Sequence, residues 1–217
     1  MKAKRAQYLA ENMGRIARRD RVLLNNPVIM QGMGLAPLVV AAYSGRSALI
    51  LSAAVLLLLT PTRVVSAVLA RFSPYRFRAS VYSVTASVLD IGMYLLLRRW
   101  FETEQMVNIG IYLPMLVVEP LVIKRYERPQ KEAVPVALKK GLYITAGYIL
   151  VLMLTGCLRE ALATGAVFGY TFTRIHLLPA AGLAGGGFIL LGLLCAIWRG
   201  AVNAYKKYVN MEAKRGV

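Results

Sequence analysis

The sequence predicts an all-α integral membrane protein of six transmembrane helices, built as two inverted three-helix repeats in which helices 1 and 4 are broken. Three observations carry that prediction. The 217 residues are 58% hydrophobic, and charge-free runs recur at about the length that crosses a bilayer core. Basic residues collect in alternate connections between those runs. Two of the runs, three spans apart, are interrupted by proline and glycine at matching places.

Taken in order, residues 1–21 are a basic arm. No short apolar core with a small-residue cleavage site follows it, so it reads as a retained arm and not a cleavable signal. The membrane domain is expected at 22–198, with spans at Val22–Tyr43, Ser47–Ala70, Ala79–Leu97, Met106–Ile123, Gly141–Leu158 and Leu177–Trp198. The repeats would be about 22–98 and 106–198, and residues 199–217 form a basic tail. Of the 27 Lys and Arg residues, only Arg46, Arg98, Arg99, Arg159 and Arg174 fall on the outer side if the N-terminus is inside. Cytoplasmic loops retain basic residues, so both termini are expected in the cytoplasm of a bacterial inner membrane. The same asymmetry accounts for the net charge of +17 without nucleic acid. Attraction of "RIARRDR" to membrane lipid is a generic expectation. Arg63 lies in the second apolar run just after Pro61, so the span is expected to end there, with Arg63 reaching back to the interface.

The first span contains "NNPVIMQGMGLAPLVV" and the fourth "NIGIYLPMLVVEPLVIKR". With Pro37 set over Pro114, "GLAPLVV" lies over "IYLPMLV". An odd offset of three spans turns the second copy upside down in the membrane. Proline removes a backbone donor, and Gly32 and Gly34 ease departure from helical geometry. The freed polar groups must face protein or a polar cavity, which is a place to hold an ion, a cofactor or a conducting path.

These motifs resemble the membrane subunits shared by the Rnf and Nqr complexes, in particular the RnfE/NqrD type. "NNPVIMQGMGLAPLVV" is similar to a first-helix motif that reads NNPV and then LGLCP, and the fourth-span motif resembles GI-x-x-P-LIVVNC-x-I-x-R. "RFSPYRFRASVY" resembles the loop between spans 2 and 3, "REALATGAVFG" resembles REILG-x-GTLFG, and "GGFILLGLLCA" resembles GAFI-x-LGLL-x-A. The resemblance implies a non-catalytic subunit of an ion-translocating electron transport complex. It also implies a homologous RnfA/NqrE-like membrane partner, further complex subunits, and a 2Fe-2S cluster held by one cysteine from each broken helix of the pair. This chain departs at those positions: the cysteine of LGLCP falls on Ala36, that of VVNC on Pro120, and the preceding asparagine on Glu119. Iron–sulfur clusters need thiolates, so no cluster bound by this chain is expected.

Glu119 and Asp90 are acids within apolar spans, where a carboxylate is costly unless protonated, paired or hydrated. They are the candidates for an ion path. Glu119 is alternatively an interfacial ion pair with Lys124 and Arg125, and Asp90 a partner of hydroxyls in the core. Arg159 and Glu160 are expected to form a structural pair. Cys157 and Cys195 are expected as small buried apolar residues, since their spacing supports neither a disulfide nor a metal pair. Tyrosines are expected as interface anchors, and "AAGLAGGGF" as a close helix contact. "GLAGGG" follows no strand, which excludes a phosphate cradle. His176, in the loop before the last span, leaves no Ser-His-Asp set. A repurposed ion or small-molecule transporter using Glu119 and Asp90, and a purely structural paralogue, are the alternative readings.

Overall fold

The computed structural model describes residues 3–119, 122, 133–173 and 177–215. Its helices are α1 (Ala3–Arg19), α2 (Gly45–Leu69), α3 (Arg78–Trp100), α4 (Thr103–Ile109), α5 (Tyr112–Met115), α6 (Val134–Thr164) and α7 (Ala184–Arg215). A small hairpin joins α6 to α7, with β1 (Ala166–Val167) antiparallel to β2 (Tyr170–Thr171) and Val167 opposite Tyr170.

Four helical stretches are long and apolar enough to cross a membrane: Gly45–Leu69, Tyr75–Trp100, Val134–Thr164 and Ala184–Lys214. They coincide with the second, third, fifth and sixth expected spans. Their ends differ because helical propensity does not stop at the hydrocarbon boundary. α6 and α7, with 31 and 32 residues, would each run about 45 to 50 Å at 1.5 Å per residue, well past a core about 30 Å thick. The last helix accordingly starts at Ala184 instead of Leu177 and runs on through the basic tail.

The first and fourth expected spans are not continuous helices. Residues 20–34 run through turns and bends, and Leu35 and Ala36 lead into a short, wide helical turn at Pro37–Ala41. The fourth is divided into α4, a turn at Gly110, α5, and a tight turn at Leu116–Val118 that leads into extended backbone at Glu119. Glycines make these interruptions: Gly32, Gly34 and Gly110 take φ of +67°, +69° and +56°, which side chains disfavour. The prolines sit at or just inside the start of the next short piece, Pro37 at its first residue and Pro114 within α5.

α2 and α6 are the central pair. Thr60 and Thr145 share a hydroxyl hydrogen bond of 3.1 Å across them, and Gly156 lets α6 lie against Ala48 and the Ser44 carbonyl. Buried Leu51, Leu58, Leu59, Val151 and Leu152 fill the seam. α3 leans on α2, and α1 lies along α7. α3 presents Val84, Val88, Ile91 and Leu95 outward on one face, each at least 62% exposed, and α7 presents Phe188, Ile189, Leu193 and Ile197, each at least 57% exposed. Apolar faces of that extent belong against lipid or another apolar chain.

Two expectations about the inner half of α2 are corrected. The helix does not end near Pro61; it continues to Leu69 with the proline inside it. Arg63 does not reach back to the interface; it is 3% exposed. Its stem packs at Gly141 of α6, where the missing side chain leaves room for it. Thr62 and Ser66, one turn apart beside it, are also fully buried.

Candidate functional site

The first interrupted segment is fixed before its glycines by Asn26, which is fully buried. Its Oδ1 accepts from the N–H groups of Val28 and Ile29 at 2.9 and 3.3 Å. Its Nδ2 donates to the Val22 carbonyl at 2.9 Å and to the Gly147 carbonyl of α6 at 2.8 Å. All the hydrogen-bonding capacity of one amide is thus spent on turning the chain and fastening it to α6. Gly147 is needed there, because a side chain would run into the Arg21 carbonyl. From the other side, Trp198 and Arg199 of α7 donate to the carbonyls of Leu23 and Met30 at 3.0 and 3.2 Å.

Eight residues on from Asn26, the two interrupted segments meet at Gly34. The Glu119 carboxylate lies within electrostatic reach of the Gly34 N–H. The Gly34 carbonyl accepts from the Tyr148 hydroxyl at 2.8 Å. Tyr148 comes from the middle of α6 and is fully buried, and Glu119 is 8% exposed. The acid and the phenol are close enough to interact electrostatically. A Cβ on Gly34 would overlap the Tyr148 ring, so glycine is required both by its φ and by the contact. A carboxylate, a phenol and a left-handed peptide therefore converge in a setting from which water is largely removed, where each can bind or pass a cation or a proton.

A second centre lies about three turns further along α6. Arg159 of α6 is 1% exposed, and among the described residues its bonds all go to backbone carbonyls. Its Nη1 reaches Val39 at 2.7 Å and Ala42 at 3.0 Å, at the end of the short turn that follows the break. Its Nε and Nη2 reach Ala181, Gly182 and Leu183 at 2.9, 3.2 and 3.2 Å, just before α7. Two helical pieces thus point their negative ends at one tethered cation. Gly187 opens the space for it, as a Cβ there would crowd the guanidinium.

The expected Arg159–Glu160 pair does not form, because adjacent helical residues point in different directions. Glu160 instead accepts from Gly45 at the start of α2 at 2.7 Å, and from Phe168 and Gly169 in the hairpin turn at 3.1 and 2.8 Å. That turn needs positive φ at both residues, and Phe168 adopts +54°. The carboxylate holds it there.

Asp90 lies on α3, away from these contacts, and the expected hydroxyl bonds are absent: its Oδ1 is buried without a hydrogen-bond partner among the described residues. The tight glycine packing expected at "AAGLAGGGF" is present at Gly186 and Gly187. Cys157 and Cys195 are free thiols on α6 and α7, partly buried. Pro120, Lys124, Arg125, Arg174 and His176 lie outside the described residues, and so does the expected ion pair of Glu119 with Lys124 and Arg125. Tyr148, Asn26 and the carbonyl cage of Arg159 were not anticipated. Tyr148 carried a signal: it lies mid-span, not at a span end, and a buried phenol needs an acceptor.

With this geometry in place, comparison with known proteins is decisive. The family model described as Rnf-Nqr subunit, membrane protein, matches residues 17–195. The chain belongs to the Rnf-Nqr subunit family. The E component of the ion-translocating oxidoreductase complex of Shewanella loihica is 31% identical over 192 residues, covering 80% of this chain and 81% of the relative. Its counterpart in Haemophilus influenzae (strain PittEE) is 29% identical over 145 residues, 66% of this chain and 61% of the relative, so the match spans less than two thirds of that protein. The E component of the proton-translocating ferredoxin:NAD(+) oxidoreductase complex of Clostridium ljungdahlii is 25% identical over 199 residues, 88% of this chain and 90% of the relative.

Of the two positions at which the Rnf-Nqr resemblance implies an iron–sulfur ligand, Ala36 lies among the described residues. Ala36, beside the short turn after the break, has a methyl group where a thiolate is needed. Among the described residues, no group of three or more His, Cys, Asp or Glu is placed to hold a metal.

Proposed function

We propose that this Rnf-Nqr family member is a membrane subunit of an ion-translocating electron transport complex and serves there as a non-catalytic subunit that binds no cluster of its own. In this reading it lies in a bacterial inner membrane with both termini cytoplasmic. It packs against a homologous RnfA/NqrE-like subunit and other complex subunits. The observation that supports the reading is the approach of the two interrupted segments at Gly34, whose carbonyl is held by Tyr148 and whose N–H is within electrostatic reach of Glu119. The same arrangement supports six crossings in two inverted repeats. Each interrupted segment has a left-handed glycine, Gly34 or Gly110, followed within four residues by a proline at the next helical piece. Glu119 then stands where the family's broken helices meet, as the group that takes up a cation or proton, with Asp90 a second acid on the route. A free-standing transporter is not favoured, since the relatives are named as complex subunits.

The test is affinity purification of the tagged full-length chain from its native membrane in mild detergent. Other membrane and redox subunits are expected to co-purify; isolation of the chain alone, under conditions that retain a known complex, would sink the assignment. Iron analysis of the chain expressed alone should give far less than one equivalent, and stoichiometric iron would overturn the no-cluster reading. In the assembled complex, Glu119→Gln should lower ion movement more than electron transfer. Unchanged transport would remove Glu119 from the route.

A further inference from the structure

We infer that this chain carries a built site for an anionic phospholipid where α1 ends and α6 begins. A cavity of about 610 Å³ opens there, lined by Ile16, Arg19, Asp20, Lys139 and Tyr143. A second cavity of about 350 Å³ shares Lys139 and Tyr143 and continues along α6 past Leu142 and Ala146. The pair has the layout of a phospholipid. Two cations stand at the mouth, from different helices. An apolar track leads from them along a helix that is long and apolar enough to cross a membrane.

The charges are available for a ligand. Arg19 and Lys139 are exposed, and neither has a hydrogen-bond or ion-pair partner among the described residues for its side chain. Asp20 is the one acid among the described residues on the cavity, and its Oδ1 is committed to the N–H groups of Val22 and Leu23 at 3.0 Å each. A guanidinium and an ammonium facing one cavity suit a phosphodiester, which accepts from both. Lys139, Leu142, Tyr143 and Ala146 follow one another at helical spacing on the exposed face of α6, and Ala146 leaves the track open for an acyl chain. Tyr143 places a ring between the wet and dry halves, as tyrosines do at membrane interfaces. Free phosphate would use the cations and leave the apolar track empty. The charge pattern and the track together therefore favour a lipid headgroup with its chain. This site is independent of the electron-transfer assignment, because it depends only on α1, α6 and a membrane.

The full chain in neutral detergent is to be titrated with phosphatidylglycerol, phosphatidylcholine and inorganic phosphate, with bound lipid followed by native mass spectrometry and stability by thermal unfolding. Phosphatidylglycerol should bind one-to-one in preference to phosphatidylcholine. Removing one cation, by Arg19→Gln or Lys139→Gln, should weaken it about five-fold, and removing both about thirty-fold. Ala146→Phe, which fills the track and spares the charges, should weaken it as well. All three positions are exposed, so these variants are expected to fold. Equal retention of both lipids, or full affinity in the double variant, would overturn the site. Stabilisation by phosphate equal to that by phosphatidylglycerol would overturn the lipid and leave only a free-anion site.

Discussion

The hydroxyl of Tyr148 donates to the carbonyl of Gly34 at 2.8 Å, tying the middle of the fifth expected span to the break in the first. Glu119 lies within electrostatic reach of the N–H of the same glycine, so one peptide unit is approached by residues 85 and 114 positions away. Removing the phenol oxygen leaves a buried carbonyl unsatisfied in a segment with no helix of its own to fall back on. Tyr148→Phe should cost about 1 to 2 kcal/mol, which for a chain of this size lowers the midpoint of thermal unfolding by about 2 to 8 °C. Thermal unfolding of the purified chain reads this directly, and an unchanged midpoint would mean that the bond contributes nothing.

Gly32 and Gly34 have nearly the same φ but different surroundings. A Cβ on Gly32 meets nothing within 4 Å, whereas one on Gly34 strikes the Tyr148 ring. Gly32→Ala should therefore cost only the backbone term, about 1 to 2 kcal/mol. Gly34→Ala adds overpacking of about 1 to 3 kcal/mol and displaces the tyrosine. The order of the two in expression level and unfolding temperature is the measurement. Equal behaviour would contradict the packing described here.

Asn26→Ala removes an amide that serves two N–H groups and two carbonyls. The loss expected is at least about 2 kcal/mol, since several buried groups are stranded together. Asn26→Asp keeps the acceptor and loses the donor, so it should free α6 from the first segment while preserving the local turn. Hydrogen exchange at Val28 and Ile29 separates the two variants: protection survives in the second and not in the first.

Arg159 should tolerate no replacement. Arg159→Lys keeps the charge but cannot reach carbonyls of two segments at once, because an ammonium lacks the planar fork. Both Arg159→Lys and Arg159→Ala should lose several kcal/mol. Added guanidinium should restore thermal stability to the alanine variant in a saturable way and do nothing for the wild type. Failure of rescue, with the alanine variant still folded, would show that the carbonyl cage does not depend on a cation.

The sequence by itself determined that this is a helical membrane chain, because long uncharged runs have few other stable forms and the basic residues between them follow a simple rule. It also marked the first and fourth runs as interrupted, since glycine and proline act locally on φ and on backbone donors. What it could not determine was which distant groups would complete the freed backbone. The Gly34 carbonyl is served by Tyr148 of α6, the carbonyls after Pro37 are served by Arg159, and the start of α2 is served by Glu160. Arg63, read from its neighbours, belonged at the interface, but the contact of α2 with α6 buried it. Hydrophobic length and backbone stiffness are properties of a segment and can be read along the chain. Hydrogen-bond partners more than a hundred residues apart become neighbours only when the helices pack, and that was decided by the tertiary structure.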